Sequence, residues 1–330
     1  METNALNAGG RRFNITKFLV NYALYILIIG LVIVYASLTP LFLSGQNIVS
    51  LLTNSAPLLV AAVGMTLILI IAEIDLSIGS IAGVAASVWI LLLTQSQMNI
   101  VLAYALAIIA AGFIGLLNAA LIVGLKINSF LATLGMQIFL RGFVYIFTNG
   151  AQILMTDAVK QANAAVRDVF FGLSPLLVFG ILIAIVMMFV YRYTAFGRKV
   201  QAIGCNRAAS VKLGINVKLV TALCYVICGA LAGVAGILTA TNVGMVHPSN
   251  IGSGLEFLAI TACVLGGTSL LGGTGTIIPG TLIGVIFLNS IENGLGLLGA
   301  SAYAYPVVRG LVIYLAMLTD SFKRSMSVKK

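Results

Sequence analysis

Phe196-Gly-Arg-Lys-Val-Gln-Ala-Ile-Gly-Cys-Asn-Arg-Ala-Ala-Ser-Val-Lys-Leu-Gly-Ile-Asn216 is a basic, polar island in a chain that is otherwise almost continuously apolar. It has the makings of a short capped helix. Asn206 can accept from the first turn, and Gly214 can end the helix in the left-handed conformation. Between them Arg207 to Leu213 supply about two turns. So short and polar a helix has little core of its own to pack on, and the sequence predicts a partner outside the membrane that holds it.

The surroundings of the island fix the class. The chain is 61% hydrophobic and 8% charged, with a mean hydropathy of +1.13. An ordinary soluble domain carries roughly 25% charge, so this chain cannot cover a water-facing surface. Its apolar runs are long enough to span a bilayer as helices, at about 20 residues each, and they lack the alternation of a β-barrel. The expected fold is all-α and polytopic, with about ten transmembrane helices near 18–38, 54–72, 76–94, 100–124, 128–148, 174–191, 219–240, 256–271, 277–297 and 303–319.

The charges orient these spans. With the N-terminus cytoplasmic, the cytoplasmic segments hold Arg11, Arg12, Lys17, Lys126, Arg192, Arg198, Lys199, Arg207, Lys212, Lys218, Lys323, Arg324, Lys329 and Lys330, 14 of the 18 basic residues. Lys160 and Arg167 fall outside, in a loop at 149–173 where Asp157 and Asp168 balance them, and Arg141 and Arg309 lie within spans. The positive-inside rule places both termini and 192–218 in the cytoplasm. The net charge of +10 is therefore an insertion signal rather than a nucleic-acid footprint. The Arg11-Arg12 pair precedes an apolar run too long for an export-signal core and reads as the start of the first span.

Several chemistries find no residues. No G-x-x-x-x-G-K-[ST] occurs, so the chain has no nucleotide-binding P-loop, and there is no nucleophile elbow. Cys205, Cys224, Cys228 and Cys263 form no CxxC pair, and Cys224 and Cys228, one turn apart, read as small residues at a helix contact. The single histidine, His247, has no nearby ligand cluster, so no metal site is expected.

The first span reads as an addition to a core of nine, in which spans two to five and seven to ten make an inverted four-plus-four repeat, an arrangement that places a transporter's pathway at the repeat interface. The glycines of Ile78-Gly-Ser-Ile-Ala-Gly83 and of Leu265-Gly-Gly-Thr-Ser-Leu-Leu-Gly-Gly-Thr-Gly-Thr-Ile-Ile-Pro-Gly-Thr281 suit close helix packing and irregular backbone beside a cavity. The intramembrane polar groups are Asn118, Arg141, Glu256, Asn289, Glu292, Asn293 and Arg309. A charge at the bilayer centre costs about 2.5–3.5 kcal/mol on insertion scales, so such groups face a cavity or one another, or, for Arg141 and Glu256, snorkel from span ends. Amides and isolated charges suit a neutral polyol; an ion path would call for a denser carboxylate series.

Four motifs, in order, carry a resemblance: Ala72-Glu-Ile-Asp-Leu-Ser-Ile-Gly-Ser80; Asn128-Ser-Phe-Leu-Ala-Thr-Leu-Gly135 with Leu140-Arg-Gly142; the island; and Val264-Leu-Gly-Gly-Thr-Ser-Leu-Leu-Gly-Gly-Thr-Gly-Thr276. Over roughly residues 55–320 the chain resembles the permeases of ribose-type monosaccharide ABC importers. The resemblance implies a tail at 1–17, a transmembrane permease domain at 18–320 with the coupling segment 192–218 inside it, and a tail at 321–330. It implies a bacterial inner-membrane complex of two permeases (a homodimer or a related heterodimer) and two ABC ATPase subunits, fed by a periplasmic or lipid-anchored sugar-binding protein. This chain would then be no enzyme and carry no cofactor; ATP and Mg would sit on the ATPase. The family's coupling pattern falls on Phe196, Gly197, Arg198, Ala202, Gly204, Asn206, Ala208, Ala209, Gly214 and Ile215. The sequence departs from it at Cys205, where glycine is usual, at Lys212-Leu213, and at Glu73, which replaces a frequent glycine. The remaining alternatives are a branched-chain amino-acid ABC permease and a secondary sugar transporter.

Overall fold

The computed structural model describes residues 15–157, 160, 174–301 and 303–328. Within them every regular element but one small ribbon is helical. In chain order these are α1 (Ile15–Leu38), α2 (Gly45–Ile70), α3 (Ile78–Thr94), α4 (Ile100–Ala119, running into a π-helical turn at Ala120–Gly124), α5 (Ser129–Thr148), α6 (Pro175–Tyr193), α7 (Ala195–Cys205), α8 (Arg207–Lys212), α9 (Val217–Val243), α10 (Leu255–Leu265), α11 (Leu282–Leu297, after a π-helical turn at Ile277–Thr281) and α12 (Ala304–Val328). The ribbon pairs β1 (Ile153–Leu154) with β2 (Met245–Val246) antiparallel, Ile153 opposite Val246.

The α2 helix is the hub. From Ala56 to Ile70 every residue is buried, and α6, α9, α10 and α11 pack around it. The α9 helix crosses α3 and α4 at very short range because small residues line both sides. Gly236 lies on the Ala82 backbone and Gly229 on Ala111 and Gly115, with no room for a Cβ at either. Cys228 packs on Gly64 of α2, the small-residue helix contact its spacing predicts. Outer helices read differently: α5 and α6 keep Ile138, Phe139, Leu182 and Phe189 exposed, as lipid-facing surfaces do.

A helix occupies each of the ten expected segments. Six stretches are long and apolar enough to cross a membrane: Gly45–Ile70, Ile100–Gly124, Ser129–Thr148, Pro175–Tyr193, Val217–Val243 and Ile277–Leu297. Tyr25–Leu38, Ile78–Thr94, Leu255–Leu265 and Ala304–Leu318 are shorter apolar helices.

The expected bounds need three corrections. The eighth segment, read as 256–271, stops at Leu265, because Gly267, Gly272 and Gly273 take positive φ (+91°, +85° and +80°) and turn the chain into a loop. The island holds two helices rather than one. The last helix runs on to Val328, beyond the expected span, since no Gly or Pro interrupts Leu311–Val328. Arg167 and Asp168 of the 149–173 loop, and most of the tail at 1–17, lie outside the described residues.

Candidate functional site

Two of the sequence motifs meet the end of α2 at one end of the bundle. The C-terminal carbonyl of α2, on Ile70, accepts from Gly273 N at 2.8 Å, which brings the glycine-rich 266–276 loop onto the end of the hub helix. Gly204, near the end of α7, sits against the same carbonyl and against Gly273, with no space for a Cβ. The Cys205 thiol lies 3.8 Å from the Gly273 carbonyl, so one of the residues that depart from the resembled pattern borders this seam too. The seam thus consists of the island, the end of α2 and the 266–276 loop.

The α8 helix stands out from that seam. Asn206 Oδ1 accepts from Ala209 N at 2.9 Å, the N-cap its position predicts. At the other end Gly214 has φ +77°, and Ile215 N donates to Ser210 O at 3.1 Å, closing the helix in the expected left-handed turn. Only Ser210 of α8 is buried; Ala208, Ala209, Val211 and Leu213 are exposed. The remaining coupling candidates face differently. Gly197 is buried against the Tyr191 backbone, Phe196 and Ile215 pack on the core, and Gly204 lies in the seam. Arg198 is exposed, with Nη1 3.5 Å from Tyr193 O. The island therefore has an inner set (Phe196, Gly197, Gly204, Ile215) that seats it and an outer set around Ala208 and Ala209 that is left bare. Sequence reading missed α7. Thr194, whose Oγ1 accepts from Gly197 N at 3.4 Å, and Phe196, Val200 and Ile203 at helical spacing were the signal.

The candidate pathway residues fall into three groups at different depths. Beside the seam, Asn118 Nδ2 donates to Ser77 Oγ at 2.7 Å, and Ser77 donates through Oγ (2.6 Å) and N (2.9 Å) to Asp75 Oδ1. This Asx turn starts α3, and both Asp75 and Asn118 are 0% exposed. The turn is pinned further by Leu76 N to Thr133 Oγ1 (3.1 Å) and Tyr225 Oη to Ile74 O (3.3 Å). Near the middle of α5, Gln137 Nε2 donates to Glu256 Oε1 at 2.8 Å and Arg141 Nη1 to Ile251 O at 2.7 Å. Glu256 is 2% exposed, so it does not snorkel. Its carboxylate fits because Gly79 of α3 has no side chain there. At the far end Asn293 and Asn47 exchange amide bonds (2.8 and 2.9 Å), Glu292 pairs with Arg309 (Nη2–Oε2 3.0 Å), and Asn289 bonds to Val285 O of its own helix at 3.2 Å. Asp75 Oδ2, Asn118 Oδ1 and Glu256 Oε2 are buried and accept no hydrogen bond among the described residues. Gln137 and Asp75 were not singled out from sequence as pathway groups. A lone amide in an apolar helix and a carboxylate inside a motif gave no sign of their partners.

Residues 47–317 match the family described as "Branched-chain amino acid transport system / permease component". The chain belongs to this permease family. Within it, the chain is 34% identical to the ribose import permease protein RbsC of Escherichia coli strain K12, over 96% of this chain and 98% of that one. It is 36% identical to the autoinducer 2 import system permease protein LsrC of Enterobacter sp. strain 638, over 74% and 71%. Against the LsrC of Salmonella typhi the identity is 33%, over 74% and 69%. No solved structure matches the chain. As a family permease, the chain is a multi-pass protein of the inner membrane and a transport subunit of an ABC importer.

Proposed function

We propose that this permease carries a neutral monosaccharide of the ribose type into the cell, driven by a partner ATPase that grips α8 and supplied by a sugar-binding protein on the other face. The observation that carries the substrate class is the similarity to a ribose import permease along nearly the whole of both chains. The polar groups agree with it. Amides and paired charges at three depths offer hydroxyl partners at intervals, without a continuous carboxylate series for an ion.

In this reading the ten helical segments are ten crossings arranged as an inverted repeat, both termini and the island are cytoplasmic, and a second permease copy completes the pathway. ATP and Mg are bound by the ATPase. This chain contributes the exposed ridge of Ala208, Ala209 and Val211, which a groove on the ATPase accommodates as a helix in a groove. Closure of the ATPases then biases the permease between outward and inward access, so its residues act by favouring one of two states rather than by bond chemistry.

The test is uptake in proteoliposomes with the cognate ATPase and binding protein, across a panel of D-ribose, other pentoses, hexoses and L-leucine, with ATP present or absent and ion gradients imposed or collapsed. ATP-dependent uptake of a sugar and not of leucine is expected. Uptake of leucine, or uptake that needs an ion gradient and no ATP, overturns the reading in favour of an amino-acid permease or a secondary transporter. Impermeant maleimide labelling of single cysteines placed at 198–212 checks the sidedness; labelling from outside the cell overturns it.

A further inference from the structure

The seam between island and bundle contains one ionic contact. Arg207, the first residue of α8, places Nη1 2.6 Å from Oε1 of Glu73, a residue 134 positions earlier in the chain. Of the ion pairs formed among the described residues, it alone joins α8 to the bundle. The two ends differ in setting: the Glu73 side chain is 12% exposed and that of Arg207 is 48% exposed. The carboxylate belongs to the bundle, and the guanidinium reaches in from the exposed helix.

Glu73 also stands at the head of a turn bonded to three helices. It follows Ala72, held at φ +61°, and precedes Ile74, Asp75, Leu76 and Ser77, whose bonds run to α9, α4 and α5. A pull on Arg207 therefore bears on a rigid unit that starts α3 and borders the buried Asp75–Ser77–Asn118 chain. The close approach at Gly204 is steric and resists compression, and the Cys205 thiol on the Gly273 carbonyl is a long, neutral contact; the ion pair is charged and directional and also resists separation. With its guanidinium half exposed, the pair adds little to stability.

We propose that Glu73 is a positioning residue: through Arg207 it makes the 71–77 turn follow α8 in both directions, and so sets how much substrate moves per ATP hydrolysed. This rests on the reading of α8 as the ATPase-docking helix.

The experiment measures ATP hydrolysis and sugar uptake on the same proteoliposomes of the full complex, using D-ribose or whichever panel sugar the wild-type complex carries fastest. In E73Q the ATPase still co-purifies and ATP is still hydrolysed, but uptake per ATP falls by about fivefold or more, the lower range of inter-site coupling. The reversed pair E73R/R207E recovers at least half of the wild-type ratio, whereas R207E alone does not. A purely structural role predicts no such rescue. A wild-type ratio in E73Q, or a reversed pair no better than R207E alone, overturns the proposal while leaving the docking reading intact. A wild-type chain that recruits no ATPase overturns both. Gel filtration in detergent reads folding separately. Should E73Q aggregate, the reversed pair decides: a recovered ratio supports the proposal and a lost one overturns it.

Discussion

The α2 and α8 helices are opposite solutions to the same problem. The first is a long apolar rod that is buried from Ala56 to Ile70 and stabilised by everything around it. The second is a six-residue helix with one buried residue, shaped by a cap at each end. An isolated helix of that length is unstable in water, so its shape comes from Asn206, Gly214 and the seam beneath it rather than from a core. One helix carries the fold, and the other carries a surface that the fold leaves bare. Substitutions should separate the two: damage to α2 removes the protein, and damage to the face of α8 removes only its partner.

The largest effect is expected from Met65→Asp, which places an unpaired carboxylate in the fully buried C-terminal half of α2, where Met65 is 0% exposed. A charge there costs about 2.5–3.5 kcal/mol on insertion scales before packing losses are counted. Fluorescence-detected gel filtration should show the folded peak lost. Next comes Gly204→Val, which forces a side chain into the Ile70 carbonyl and Gly273 at the seam. Overpacking of about 3 kcal/mol displaces the island, so uptake should fall more than about tenfold while the rest of the bundle still elutes as a folded protein. Ala209→Trp changes only the exposed ridge. Stability should stay within about 0.5 kcal/mol, as for other surface sites. Co-purification of the ATPase should nevertheless fall about tenfold, because a fitted groove has no room for the indole. The smallest effect belongs to Asn206→Ala. Loss of an N-cap costs about 1 kcal/mol, or about fivefold in the population of formed α8 and hence in apparent ATPase affinity, read by titrating ATPase against immobilised permease. If Ala209→Trp unfolded the chain, or Met65→Asp left it folded, the distinction between the two helices would collapse.

The same distinction explains what the sequence reveals. The apolar runs and the caps of α8 are local, and both were legible: Asn206 and Gly214 announce their roles by spacing alone. The end of α10 at Leu265 was not, because apolar residues resume at Leu270 and Leu271, and only the backbone shows that Gly267 turns the chain before them. The α7 helix escaped because a short amphipathic helix beside a longer motif lacks the length that makes periodicity stand out. Among the polar groups, sequence identified the candidates but not the company they keep. Asn293 finds Asn47 across 246 positions, Glu256 finds Gln137 across 119, and Arg207 finds Glu73 across 134. Such partners depend on how helices are arranged, and no spacing rule reports that.

The composition of α2 has an electrical consequence. Between Gly45 and Ile70 there is no Asp, Glu, Lys, Arg or His. Each elementary charge moved across the membrane gains or loses about 2.3 kcal/mol per 100 mV of potential. The central helix holds no such side-chain charge, so only the partial charges of its backbone dipole would couple a displacement of it to the voltage. The resting voltage of the cell therefore has little purchase on this helix, and most of the work of any displacement would have to arrive as mechanical force from its neighbours.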